Sequence, residues 1–176
     1  MKILDSYENI NSRKLGIEGK MKEIHTILDE IIAAAKECGQ VMLAADRSKI
    51  GIKDKAGKAN FVTRYDCKIQ EMLQVKLAQI LPEAEFFGEE EDCQIDRNAE
   101  YIFVVDPIDG TTNFINGLQY AVSVALVYEQ PDHILLGVVY NPKDDIWYYA
   151  CKGKGSYILE KGMVTQLRVR TFPPGY

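Results

Sequence analysis

The residues with the clearest chemical potential lie in the segment VVDPIDGTTNF, residues 104–114. An apolar run ends at Asp106, a second acid follows at Asp109, and Gly110 and Thr111 come next. Two neighbouring carboxylates repel each other. A divalent cation such as Mg²⁺ would neutralise this repulsion, and it would be held by carboxylates, water and phosphate oxygens. Asp109 and Gly110 are predicted to turn the chain, and Thr111 is predicted to open a short helix. Backbone N–H groups at such a turn and helix start attract anions. The segment is therefore a candidate site for a metal ion and a phosphate group.

Ordinary turn chemistry is the competing interpretation of this segment, because Asp-Pro and Asp-Gly pairs are common in turns and Asp109 could accept N–H bonds in an Asx turn. Two further segments favour the functional interpretation. In FFGEE, residues 86–90, an apolar run again ends in glycine and paired acids, although a solvated charge run would look the same. In NFVTRYD, residues 60–66, Thr63 and Asp66 precede a helix, and either could simply cap it.

Two helices must position these segments. Apolar residues recur at spacings of three and four between Ile24 and Met42, which predicts a first helix. A second helix is predicted from about Asp66 to Leu81, where a proline follows and ends it. Residues 46–60 lie between the helices and are basic and polar, which is typical of a loop or a hairpin.

The chain from residue 84 onward predicts strands. EFFGEE, YIFVVD, YAVSVALVYE and ILLGVVYNP are short apolar runs, and DIWYYACKGKGSYILEKG predicts a hairpin with Gly-Lys-Gly as its turn. Pro107 lacks an N–H group and is predicted to end the strand at Asp106. The final RTFPPGY predicts neither helix nor strand. Helices followed by closely linked strands predict an α+β fold with a largely antiparallel sheet.

Composition excludes several classes of function. The net charge of −5 argues against a general nucleic-acid binder or a binder of anionic membranes. No stretch approaches the roughly 18 apolar residues of a membrane span. The four cysteines form no CxxC pair and only two histidines are present, so we expect reduced thiols of a cytoplasmic protein rather than a zinc site or disulfides. Residues 1–20 are polar, lack the apolar core of a signal peptide and are interpreted as a loose extension.

Together the three segments resemble the inositol monophosphatase family of metal-dependent, lithium-sensitive phosphatases. VVDPIDGTTNF is similar to that family's first signature segment, FFGEE to its upstream acidic strand end and VTRYD to its Val-Thr-x-x-Asp segment. Lys55 occupies about the position of a basic residue often found before the last of these. The resemblance runs from about residue 21 to about residue 170. It implies a layered α/β sandwich of the inositol monophosphatase and fructose-1,6-bisphosphatase type, with two long helices packed on the sheet.

The resemblance implies a set of metal ligands. Glu89 would bind a first metal ion, and Asp106 would bridge two ions. The backbone carbonyl of Ile108 would complete the protein ligands of the first ion, and Asp109 would bind the second. The implied cofactor is Mg²⁺, with Mn²⁺ as a possible substitute and Li⁺ as an inhibitor.

The resemblance also implies residues that contact the substrate. Residues 108–111 would line its site, and the amides of Gly110 and Thr111 would receive its phosphate. Thr111 and Asp66 would orient a metal-activated water, so that with Glu89 they form the implied catalytic set. Glu90 and Lys55 are candidates for supporting roles.

The implied activity is hydrolysis of a small phosphorylated substrate, an inositol or sugar phosphate. Asn113, within Gly-Thr-Thr-Asn-Phe, favours the inositol type. A 3′-phosphonucleotide and fructose 1,6-bisphosphate remain alternative substrates. A metal- and phosphate-binding module with little or no turnover is a second possibility, and an unrelated α+β domain with acidic turns is a third.

Family members are usually longer than 176 residues, and the resemblance implies a second half with a Trp-Asp-x-Ala-Ala-Gly-like segment whose Asp binds the second metal ion. The single tryptophan, Trp147, lies instead in Asp-Ile-Trp-Tyr-Tyr, which predicts a strand. We therefore expect residues 21–176 to form the N-terminal metal-binding domain without its C-terminal partner. One apolar sheet face would then be uncovered, which predicts a homodimer or, for the isolated chain, instability.

Overall fold

The computed structural model describes residues 24–54, 61–90, 99–128 and 130–169. In chain order these contain α1 (Ile24–Leu43), a 3-10 turn (Arg47–Lys49), β1 (Ile52–Asp54), β2 (Phe61–Thr63), α2 (Arg64–Ile80), β3 (Glu85–Gly88), β4 (Tyr101–Asp109), α3 (Thr111–Ile115), β5 (Ala121–Tyr128), β6 (Gln130–Asn141), β7 (Ile146–Cys151), β8 (Gly155–Glu160) and β9 (Met163–Leu167). Among these residues no helix is long and apolar enough to cross a membrane. The polar extension predicted for residues 1–20 and the terminal RTFPPGY lie outside the described residues.

Both predicted helices are confirmed, with a corrected start for the second. α2 begins at Arg64, two residues before the predicted Asp66, because Thr63 is its N-cap. The Thr63 hydroxyl oxygen accepts the N–H groups of Tyr65 at 3.1 Å and Asp66 at 3.4 Å. The Asp66 carboxylate in turn accepts the N–H of Thr63 at 2.7 Å. Asp66 therefore completes a capping box from inside the helix and is not the cap itself.

Seven strands form one sheet in the order β3-β4-β5-β6-β7-β8-β9. β3 and β4 are parallel, and the other neighbouring pairs are antiparallel, which confirms the predicted α+β class and largely antiparallel sheet. The predicted Gly-Lys-Gly hairpin joins β7 to β8. The stretch 46–60 contributes one arm of the antiparallel β1–β2 hairpin, and residues 55–60 lie outside the described residues.

The hydrophobic core lies between the two long helices and one face of the sheet. Alternate residues of β4 are buried on that face, among them Phe103 and Val105, and they belong to one cluster with Leu28 and Leu73 of the helices. Fully burying a Leu or Phe side chain stabilises the fold by about 1.5–3 kcal/mol. The opposite face exposes large apolar side chains, among them Phe87, Val104, Val139 and Tyr148.

Candidate active site

The end of β4 carries the first predicted metal ligands. β4 runs past Asp106 to Asp109, so the prediction that Pro107 ends the strand is wrong. Asp106 pairs with Ser123 and Asp109 pairs with Ala121, with a register shift between the two pairs. The extra residue is taken up by a bulge, where a proline without an N–H group is tolerated. The bulge therefore separates two carboxylates within a paired strand end.

Gly110 turns the chain from β4 into α3. Its φ of 88° lies in the left-handed region, which glycine adopts without the penalty of a side chain. The helix predicted to open at Thr111 begins there. Buried Phe114 fixes this short helix, since its ring makes edge contacts with Tyr65 at 5.7 Å and Tyr120 at 5.0 Å between centroids. The amides that follow Gly110 are thereby held at a helix start, a position that favours anions.

Asp106 lies close to two other acidic side chains. Its Oδ1 atom is buried and has no hydrogen-bond partner. Burial, followed by the charges of Glu89 and Asp109, raises the pKa of Asp106 to about 7, and the N–H of Ile108 opposes this rise by donating to the carboxylate. When Asp106 is protonated it donates a hydrogen bond to Glu89. The two strand ends therefore bring the three predicted acidic ligands into one electrostatic group.

Thr111 and Asp66 are joined by a buried network. Asp66 has no exposed surface, and its Oδ1 lies 2.9 Å from the donating Thr111 hydroxyl. The other oxygen of Asp66 accepts the N–H and the hydroxyl of Thr63, at 2.7 Å and 2.5 Å. The Thr111 hydroxyl also lies 3.2 Å from the carbonyl of Ile108. Because its proton is committed to these acceptors, the hydroxyl oxygen is oriented to accept from a further donor.

The donor set fits a hard divalent cation. Carboxylate and carbonyl oxygens are the ligands that Mg²⁺ and Ca²⁺ prefer, and a cation would give the buried Oδ1 of Asp106 a partner. Within the described ranges, no group of three or more His, Cys, Asp or Glu side chains is placed to hold one ion together. Both observations are consistent with cations that each take one or two carboxylates and complete their shells with water and phosphate.

A groove of about 850 Å³ lies on the open face of the sheet. Small residues such as Ser123, Ala125 and Gly137 lie along its floor. Glu89 and Asp106 line it as well. The acids therefore face the open side of the sheet, whereas Asp66 reaches the site from the helix side.

Of the two residues predicted to have supporting roles, only one lies within the described residues. Glu90 lies beside Glu89, and its N–H donates to Oε1 of Gln70 at 3.0 Å. Lys55 lies outside the described residues. Gln70 was missed by the sequence reasoning, although one signal was available. It is a polar residue four positions after Asp66, on the apolar side of α2, and it is 3% exposed.

Two solved structures share this architecture. A Staphylococcal inositol monophosphatase-1 in a LiCl-soaked inhibitory complex has a TM-score of 0.71 and 26% identity, covering 79% of this chain and 52% of its own. An IMPase/NADP phosphatase complexed with Mg²⁺ and phosphate has a TM-score of 0.66 and 26% identity, covering 76% and 51%. Both confirm the predicted sandwich fold.

Curated relatives agree with the structures. Inositol monophosphatase 1 of Bos taurus is 31% identical over 134 residues, which are 74% of this chain and 48% of the relative. Inositol-1-monophosphatase of Caulobacter vibrioides is 37% identical over 116 residues, 65% of this chain and 44% of the relative. The chain thus spans about half the length of the curated relatives it matches. The sequence model of the inositol monophosphatase family matches residues 23–173, and the chain belongs to that family.

Proposed function

We propose that this chain provides the metal- and phosphate-binding residues of a divalent-metal-dependent phosphomonoesterase. The observation that carries the proposal is Asp106, whose buried Oδ1 has no partner and whose pKa is raised by burial and then by two further acids. Such a group is costly to ionise alone and is relieved by a bound cation. The adjoining start of α3 supplies the kind of amide environment that binds phosphate.

The metal ions would be held by Glu89, Asp106, Asp109 and the carbonyl of Ile108. Mg²⁺ is the proposed cofactor. Bound cations of this type polarise the phosphoryl group and make hydroxide available near neutral pH. Mn²⁺ would substitute for Mg²⁺, and Li⁺ would inhibit. The LiCl-soaked inhibitory complex of the Staphylococcal inositol monophosphatase-1 supports the lithium proposal.

Thr111 is proposed to orient the attacking water. Its hydroxyl proton is directed to Asp66 at 2.9 Å, so the oxygen accepts a hydrogen bond from water in a fixed direction. The amides of Gly110 and Thr111 would bind the substrate phosphate. Asp66 keeps the Thr111 hydroxyl in place. Asp66 is itself held rigidly, because it is fully buried and hydrogen-bonded to Thr63.

A small inositol or sugar phosphate is the proposed substrate. The support is the family and relatives named as inositol monophosphatases in cattle and in Caulobacter. A 3′-phosphonucleotide and fructose 1,6-bisphosphate stay alternatives. One solved neighbour is named an IMPase/NADP phosphatase, which keeps nucleotide phosphates among the compounds to be assayed.

A second candidate is a metal- and phosphate-binding module with little turnover. It is favoured by one observation: in the part of the chain that the structure describes, no three acidic, His or Cys side chains hold one site together. Each cation would then depend strongly on water and phosphate for its remaining ligands. Such a module would bind Mn²⁺ and phosphate yet release no phosphate from a monoester.

We also propose that residues 21–176 act as one metal-binding domain and that two copies associate through the open sheet face. Phe87, Val104 and Tyr148 are 38%, 39% and 43% exposed on that face, and an exposed apolar surface of this kind marks an interaction site. A single monomeric species in light scattering at micromolar concentration would contradict the homodimer. The cytoplasmic location stays a prediction from the sequence.

Phosphate release from inositol 1-phosphate tests the proposed activity. The 176-residue chain and its Asp106→Asn variant would be assayed with Mg²⁺, with and without Li⁺. We expect Mg²⁺-dependent, Li⁺-inhibited release that Asp106→Asn abolishes. Glu71→Gln is the matched control, because it removes one exposed carboxylate of α2 and should leave the rate unchanged. Equal background rates for the parent and Asp106→Asn, with metal binding retained by the parent alone, would favour the binding module.

A further inference from the structure

Gln70 occupies an unusual place for a neutral polar side chain. It lies on α2 one helical turn after Asp66, and both side chains are buried, at 3% and 0% exposure. Residues four apart lie on the same face of a helix. That face is directed at the two strand ends: Asp66 contacts Thr111 after β4, and Gln70 contacts Glu90 after β3.

The contact of Gln70 with the end of β3 is close. Its Oε1 accepts the N–H of Glu90 at 3.0 Å. A Cβ atom placed on Gly88 would lie 2.2 Å from that same oxygen, so the amide lies directly against the backbone of Gly88. Only a glycine leaves room for this approach. The Gln70 side chain therefore touches the chain on both sides of Glu89.

Glu89 itself is held through its backbone. Its N–H donates to the carbonyl of Val105 at 3.2 Å, and Val105 directly precedes Asp106. The next N–H, that of Glu90, is the one held by Gln70. Two consecutive amides are thus tied, one to β4 and one to α2. The Glu89 side chain is exposed and hydrogen-bonds to Asp106, and these two ties hold the backbone from which it extends.

We infer that Gln70 is a positioning residue that holds Glu89 in place as a metal ligand beside Asp106. The inference rests on the proposed function and deepens it, since it assigns the geometry of one ligand to a side chain that touches neither metal nor substrate. The neutral amide of Gln70 supplies the acceptor for the Glu90 N–H at 3.0 Å. Partners that orient a metal ligand typically change metal affinity about 10–100-fold when they are lost.

Gln70→Met tests the role, because it keeps the length of the side chain and removes the acceptor. Two readings are taken: hydrogen exchange of the Glu90 amide in the metal-free chain, and the Kd for Mn²⁺ alone by calorimetry. We expect faster exchange at Glu90 and, for one bound ion, a Kd raised on the order of tenfold. Gln70→Glu keeps an acceptor oxygen, so exchange and Mn²⁺ binding should recover. Gln74→Met, an exposed position one turn further along α2, should match the parent in both.

The outcomes separate this role from the proposed function. If Gln70→Met binds Mn²⁺ as tightly as the parent while Asp106→Asn does not, the positioning role is overturned and the metal site stands. If Gln70→Met and Gln70→Glu lose binding and thermal stability equally, Gln70 serves the fold alone and the role is again overturned. A folded parent that binds no Mn²⁺ overturns the proposed function and the role together.

Discussion

The two acidic strand ends of this protein are built in different ways. The end of β4 is held from several sides: Asp106 and Asp109 pair with β5, α3 follows at once, and Thr111 is bonded to Asp66 and Ile108. β3 has four residues and is an edge strand among the residues that the structure describes, and the N–H groups of Glu89 and Glu90 tie the chain after it to β4 and α2. One end is held by a local turn and a helix, and the other by a backbone hydrogen bond to β4 and by a side chain of α2.

This difference has a chemical consequence. A ligand on a rigid turn keeps its direction whether or not a cation is bound, whereas the direction of a ligand on an edge segment depends on the contacts that hold that segment. Asp106, Asp109 and Thr111 therefore form the preorganised part of the proposed site. Glu89 belongs to the other part, where contacts with Val105 and Gln70 help to hold its backbone.

The largest effect is expected at the rigid end. Thr111→Val removes the hydroxyl that donates to Asp66. It should lower kcat for phosphate release about 100-fold, because the loss of a group that directs proton transfer has an effect of this size. Asp66→Asn should lower kcat as well. The double variant should lose less than the two single losses combined, because both residues act through one hydrogen bond.

Thr112→Val is the control for this prediction, since Thr112 is the exposed neighbour. Equal rates for Thr111→Val and Thr112→Val would contradict the assigned role of the Thr111 hydroxyl.

The next largest effect is expected on the free energy of unfolding when a glycine at either strand end is replaced, and the first of these lies at the β3 end. Gly88→Ala should destabilise the fold by about 2–3 kcal/mol in urea unfolding, because its Cβ would lie 2.2 Å from Gln70 Oε1 and 2.9 Å from the Phe86 ring. Gln70→Ala in the same chain should recover part of that loss by making room. A double variant no more stable than Gly88→Ala would show that the Gln70 contact is not the source of the strain.

At the β4 end the constraint is conformational. Gly110→Ala should cost about 1–2 kcal/mol of unfolding free energy, because φ is 88° there and a side chain is strained in that region. The space is not limiting, since its Cβ would meet Asn113 at 3.6 Å. Asn113→Ala should accordingly give no recovery, in contrast to the pair at Gly88. Recovery of stability in that double variant would reverse the comparison.

The smallest effect is expected from pH. The pKa of Asp106 in the metal-free fold is raised from 3.8 to about 7, chiefly by burial, so between these pH values the folded chain holds a proton that the unfolded chain has lost. The free energy of unfolding should therefore fall as pH rises through this window. Because Asp106 is only partly buried, solvent screens much of the effect. Urea unfolding in EDTA at several pH values should show the decline, and Asp106→Asn should flatten it.

Local signals explain what the sequence predicted well. The spacing of apolar residues gave α1 and most of α2, and the Asp-Gly-Thr-Thr turn indicated the start of α3. The Thr111–Asp66 pairing was inferred from the family resemblance, and the structure brings these two side chains together at 2.9 Å. Both residues lie in segments whose own composition marks them as turns or caps.

Non-local contacts explain what the sequence did not predict. The extension of β4 beyond Pro107 depends on pairing of Asp109 with Ala121, which no property of the β4 segment encodes. β9 escaped prediction because all five of its residues are exposed and no alternating apolar pattern results. Gln70 was missed because its partner, Glu90, lies 20 residues away on another element.

Calorimetric titration of Mn²⁺ into the metal-free 176-residue chain at pH 7.5 or so tests the central claim most directly. We expect saturable binding by the parent and a Kd raised on the order of 100-fold in Asp106→Asn, since the shared carboxylate is lost. Circular dichroism would establish that both chains are folded. Identical isotherms for two folded chains, or no binding by the parent, would contradict the proposed metal site.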